Sequence, residues 1–181
     1  MVEEDRLVFD KSIYYYMKDI VDFIQDRLSP HEYADSITIR KGKRNNRDYI
    51  KEIAIHIIEK KFNGYEDSEY SVTIKEKVTP IGSTKVYTKK YTYELTNDEN
   101  MEDLVRFDYF PYSNFPHFHI NANEEEWGNH LTFPETTNLN LEKLDVIKAL
   151  NIFQKYVADP SQHILDKSVN EKYVSVLEGD K

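Results

Sequence analysis

The stretch YSVTIKEKVTPIGSTKVYTKKYTYEL, residues 70–95, decides the fold class. Its first part, Tyr70 to Val78, alternates around Val72 and Ile74, the period of two that a half-buried strand shows. Pro80-Ile81-Gly82-Ser83 supplies turn residues, and Val86 to Leu95 alternates again through Tyr87, Tyr91, Tyr93 and Leu95. Two alternating runs about one short turn predict an antiparallel hairpin.

The same pattern extends outward on both sides. Before the hairpin, Tyr33 to Arg40 carries Ile37 and Ile39 on one face, and Ile50 to Ile58 carries Ile53, Ile55 and Ile57. Ile50 to Lys61 also fits a helical period, so alternation alone does not separate the two states there. Between these runs Arg40-Lys41-Gly42-Lys43-Arg44-Asn45-Asn46-Arg47 reads as a hairpin-like loop, the one dense basic cluster of the chain. After the hairpin, Asn97-Asp98-Glu99-Asn100 turns the chain into Leu104 to Phe110. The loop Pro111-Tyr112-Ser113-Asn114 then leads to a short strand, Phe118 to Ala122.

Helical spacing frames this region. Asp10 to Leu28 places Ile13, Tyr16, Met17, Ile20, Phe23 and Ile24 on one stripe, with Asp10 as a cap and Pro30 beyond the end. Leu141 to Val157 places Val146, Leu150, Phe153 and Val157 on another before Asp159-Pro160 breaks it. Strands in the middle and helices at both ends predict an α+β fold. It is an antiparallel meander sheet with an N-terminal and a C-terminal helix packed on one face, leaving the other face for a site. Residues 1–167 read as a single domain and 168–181 as a loosely held polar tail.

Composition narrows the function classes. With 181 residues the chain can bury a core, and 14 Tyr and 9 Phe offset an apolar share of only 39%. The absence of cysteine removes disulfides, thiolate nucleophiles and thiolate metal ligands. An acidic start, Met1-Val2-Glu3-Glu4-Asp5-Arg6, and no membrane-length apolar run predict a cytoplasmic protein without a membrane partner. A net charge of −9 argues against broad nucleic-acid coating but leaves room for a local basic patch.

The candidate site is the strand Pro116-His117-Phe118-His119. Residues two apart share a face, so His117 and His119 stand together while Phe118 and Ile120 face the core. On the preceding strand Arg106 and Asp108 have the same parity, opposite Val105, Phe107 and Tyr109. His130 and Trp127 are expected to close over the group from the following loop, with His130 as a substrate contact. Two imidazoles can serve as general base and general acid across a phosphodiester, with Arg106 stabilising phosphate charge and Asp108 orienting one imidazole, and no cofactor is needed. Alternatively two or three imidazoles and a carboxylate hold a divalent metal that activates water. Plain hydrogen-bonded histidines on a wet sheet face, with a cross-strand Arg–Asp pair, fit the residues equally well. Of the basic cluster, Arg40, Lys41, Lys43, Arg44 and Arg47 are candidate phosphate contacts, although a solvated hairpin explains them more simply. Glu124-Glu125-Glu126 reads as a solvated loop or a docking point for a basic partner, and His31, His56 and His163 as structural.

From about Tyr70 to about Leu144 the chain resembles the TumE family of small toxins of toxin–antitoxin modules. The likeness rests on a Tyr-rich hairpin, then Val105-Arg106-Phe107-Asp108, then a Pro-bearing loop, then Phe115-Pro116-His117-Phe118-His119. Tyr109 stands where family members often carry Asn, and Pro111-Tyr112 lacks the loop histidine. The resemblance implies a toxin acting on RNA, with a cognate antitoxin as partner. A non-catalytic interaction protein, such as an antitoxin, an immunity protein or a phage-encoded inhibitor, is the alternative from another class. A metal-dependent hydrolase is the third. Oligomeric state is not legible in the sequence.

Overall fold

The computed structural model describes residues 7–29, 33–99, 103–110, 114–120, 131–132 and 141–159. Strand β1 is Leu7–Phe9, helix α1 is Ile13–Arg27, and β2 is Leu28–Ser29. The long strands follow: β3 Ile37–Arg44, β4 Arg47–Phe62, β5 Tyr70–Ile81, β6 Lys85–Asn97, β7 Asp103–Phe110 and β8 Asn114–Ile120. A short β9, Leu131–Thr132, a 3-10 turn at Leu141–Lys143 and helix α2, Val146–Ala158, complete the described chain.

The expected α+β meander is present. The main path of the sheet runs β2-β4-β5-β6-β7-β8-β9, and every pairing is antiparallel. Long strands share their edges: β4 pairs with β3 near its start and with β2 at its end. In the same way β6 holds β1 over 86–88 and β7 over 91–96.

One face of this sheet is a continuous apolar surface. Ile53, Ile55 and Ile57 of β4, Val72, Ile74 and Val78 of β5, Tyr91, Tyr93 and Leu95 of β6, and Val105 and Phe107 of β7 are fully or nearly fully buried. Both helices lie on that face. α1 contributes Ile13, Tyr16, Ile20, Phe23 and Ile24, and α2 contributes seven buried residues, among them Leu150, Phe153 and Tyr156. The Phe153 ring sits 5.9 Å from that of Phe107, and Tyr156 meets Tyr70 edge-on at 6.0 Å, which fixes α2 across β5 to β7.

Several boundaries differ from those the sequence predicts. Ser12, not Asp10, caps α1: its side chain accepts from the Tyr15 amide, while Asp10 instead pairs with Lys85 at 3.1 Å. Asp145 caps α2, and Leu141–Lys143 forms a separate 3-10 turn ahead of it. The region Arg40 to Arg47 is not a loop. β3 runs through Arg44 and β4 starts at Arg47, so the turn is only Asn45-Asn46, both with positive φ (50° and 61°), as a tight two-residue hairpin demands. β3 itself begins at Ile37 rather than Tyr33, and β8 spans Asn114–Ile120 rather than Phe118 to Ala122.

Bulges explain the mixed periodicity. Arg40 pairs with Glu52 but Lys41 with Ile50, so Lys51 is an extra residue. A second shift lies between Ile57 and Lys60, where Glu59 has φ of 51°. Ile50, Ile53 and Ile57 therefore all reach the core side, at spacings of three and four that imitate a helix. A third bulge at Lys89 puts Val86 and Thr88 in the core and leaves Tyr87 half-buried, against the alternation expected through Tyr87. No helix among the described residues is long and apolar enough to cross a membrane.

Candidate functional site

The face of the sheet opposite the helices is built by register. His119 lies opposite Arg106 and His117 opposite Asp108, so the expected juxtaposition of these four positions on β7 and β8 is present. Directly opposed residues of an antiparallel pair share a face. The row continues across the sheet as Thr132, His117, Asp108, Thr92, Lys75 and His56. A parallel row runs His119, Arg106, Glu94 and Thr73.

Arg106 and Asp108 are joined directly. The Arg106 Nε donates to Asp108 at 2.8 Å, and the Asp108 carboxylate is buried, only 8% exposed. A carboxylate held this deep needs polar partners, which confines it to one geometry. Among the described residues no group of three or more His, Asp or Glu is placed to hold a metal ion. His130 and Trp127, as well as His31 and His163, lie outside the described residues, as does the tail 168–181.

The surroundings are cationic although the chain is acidic overall. Lys75 and Lys77 of β5 and Lys90 of β6 are exposed on this face, and Lys77 pairs directly with Lys90. Like charges in direct cross-strand register repel. Glu52 on β4 offsets part of this charge. Its hydrogen bond from Lys89, 2.8 Å long, is the main cause of its lowered pKa.

The basic cluster is elsewhere. Arg40, Lys41, Lys43, Arg44 and Arg47 are all exposed, but they ride on the β3–β4 ribbon rather than on a loop over the histidine strands. Arg47 precedes His56 by nine residues along β4, roughly 30 Å, and β8 lies four strand spacings, about 19 Å, across from β4. The cluster and the histidine strands are thus opposite corners of the sheet. His56, expected to be structural, is exposed at the far end of the Asp108–His117 row.

Sequence reasoning missed a second polar group, inside the core. Glu76 lies between Ile74 and Val78 with the apolar parity of β5 and is fully enclosed. The Tyr16 hydroxyl of α1 donates to both of its oxygens at 2.9 Å, and the Thr88 hydroxyl donates to one at 2.9 Å. The Tyr93 hydroxyl also faces this carboxyl and makes no hydrogen bond of normal length and angle. Burial pushes Glu76 up to about 7, the buried Asp145 adds to the rise, and the hydroxyl donors oppose it. A glutamate at a core position of an otherwise apolar alternation was the available signal. No known family model, curated protein or solved structure matches this chain.

Proposed function

We propose that this chain is a toxin or defence-type effector of a toxin–antitoxin-like module that cleaves RNA without a metal. The observation that carries this reading is the register Arg106–His119 and Asp108–His117, with Arg106 tied to a buried Asp108. Further support comes from the exposed Lys75, Lys77 and Lys90 on the same sheet face and from the TumE-like order of the motifs.

The chemistry follows from two histidine positions two residues apart on one strand, about 7 Å along the backbone. One neutral imidazole takes the proton of a ribose 2′-hydroxyl, whose oxygen then attacks the adjacent phosphorus. The other, protonated, delivers its proton to the departing 5′-oxygen, leaving a 2′,3′-cyclic phosphate and a 5′-hydroxyl end. Arg106 faces the charge that develops on the phosphoryl oxygens, and Asp108 orients an imidazole and holds Arg106 in place. Wild type and His119→Ala are expressed in cells without an antitoxin, and purified forms are incubated with RNA in the presence of a chelator. Growth arrest and new 5′-hydroxyl ends with wild type alone are expected. Intact RNA and equal growth in both reject the reading.

The edge of β3 favours a second reading, a non-catalytic interaction protein. Among the described residues β3 pairs on one side only, and its free edge carries Ile39, 42% exposed, beside Arg40, Lys41 and Lys43. An acidic extended segment of a partner can add there as a further strand. A stoichiometric acidic partner together with RNA left intact by wild type selects this reading.

A further inference from the structure

A recess lies far from the histidine strands. The start of α1, the tip of the β3–β4 ribbon and the turn between β5 and β6 enclose an open groove of about 960 Å³. Its volume is within the range of small-molecule sites. Four features fix its chemistry.

Arg44 and Arg47 are the closing pair of the hairpin, directly opposed across the two-residue turn. Among the described residues neither has an ion-pair partner, so two like charges are held together with no counter-charge of their own. Asp48 also lines the groove and offsets one of the two arginine charges, which leaves the lining net positive.

Aromatic rings stand beside these cations. Tyr49 is 46% exposed, and its ring lies across Gly42: a Cβ at that glycine would come within 2.6 Å of it. The missing side chain of Gly42 therefore sets the ring's position. Tyr14, 65% exposed, projects from the first turn of α1 on the other wall. That first turn contains no acidic residue, so the free amides and positive end of α1 face the groove without an internal counter-charge.

A paired guanidinium clamp suits a phosphate, and adjacent exposed tyrosine rings suit a planar base. We propose that this groove binds a nucleoside monophosphate, its phosphate between Arg44 and Arg47 and its base against Tyr49. The ligand is either a free nucleotide or the 5′-phosphorylated terminal nucleotide of a strand. The site is independent of the histidine strands, so it stands or falls apart from the RNA-cleavage reading.

Calorimetric titration of the full chain with adenosine 5′-monophosphate, adenosine, inorganic phosphate and a trinucleotide with or without a 5′-phosphate tests this. The monophosphate or the 5′-phosphorylated trinucleotide is expected to bind at least tenfold more tightly than adenosine and than phosphate. Which of the two binds better tells a free nucleotide from a strand end. Arg44→Ala and Arg47→Ala each weaken binding at least tenfold. Gly42→Ala, which displaces the Tyr49 ring, also weakens it, with the melting temperature monitored in parallel, while His119→Ala leaves it unchanged. Absence of binding by both phosphorylated probes, phosphate binding as tightly as the nucleotide, or equal binding by the arginine variants overturns the proposal.

Discussion

The Tyr16 hydroxyl spans the helix–sheet interface to contact both oxygens of Glu76, 2.9 Å from each. α1 is thus joined to the centre of the sheet through a carboxyl with no access to water. Burial raises Glu76 from 4.5 to about 7, so the folded chain holds this proton more tightly than the unfolded one. The stability it contributes is complete below about pH 4.5, falls as pH rises, and is lost once pH passes about 7. A shift of this size corresponds to about 3 kcal/mol. Glu76→Gln removes the titration. In urea unfolding the variant is expected to match wild type near pH 5 and to exceed it at pH 8. A wild-type excess at pH 8 would contradict the assignment.

Phe153 and Phe107, both fully buried with rings 5.9 Å apart, hold α2 on the sheet. Phe153→Ala opens a cavity there and costs roughly 3–5 kcal/mol. The denaturation midpoint should fall accordingly, whereas truncating Lys155, exposed on the same helix, should change it little.

Asn45 and Asn46 both adopt the left-handed backbone that a two-residue hairpin requires. Asn46→Ile forces a β-branched residue into that region at a cost of roughly 1–2 kcal/mol. Asn46→Gly is neutral or stabilising. Thermal melts of the two variants separate these outcomes, and loss of nucleotide binding in Asn46→Ile alone would follow from displacement of Arg44 and Arg47.

The Arg106 guanidinium is tied directly to Asp108. If it stabilises phosphate charge during RNA cleavage, Arg106→Ala lowers kcat by about 10²–10³-fold. Circular dichroism should show the fold retained. A kcat within threefold of wild type removes Arg106 from the reaction.

The fold class was legible because its signals are local. Alternation in residues 70–95 and the stripes around Ile20 and Phe153 each report which face is buried, and no long-range knowledge is needed to read them. The strand parity that groups Arg106, Asp108, His117 and His119 is local for the same reason, and the register bears it out. What could not be read depends on irregularity or on distant pairing. Lys51, Glu59 and Lys89 are bulge residues of ordinary chemistry, so nothing in their identity announces that the alternation skips there. The basic run between Arg40 and Arg47 looked like a loop because cations and asparagines are turn-rich, yet only Asn45-Asn46 turns. The groove was invisible in the sequence because Ser12, Arg47 and Ser83 meet only in the folded chain.

The placement of β1 on β6 has a kinetic consequence. The hairpins β3–β4, β5–β6 and β7–β8 close over a few residues each, whereas Leu7 must find Thr88 across nearly half the chain. Loop-closure entropy delays such a contact until the β5–β6 hairpin exists to receive it. The first strand among the described residues is therefore among the last to be zipped into place. Because it is only three residues long, it can also peel away in native conditions while the long hairpins stay closed.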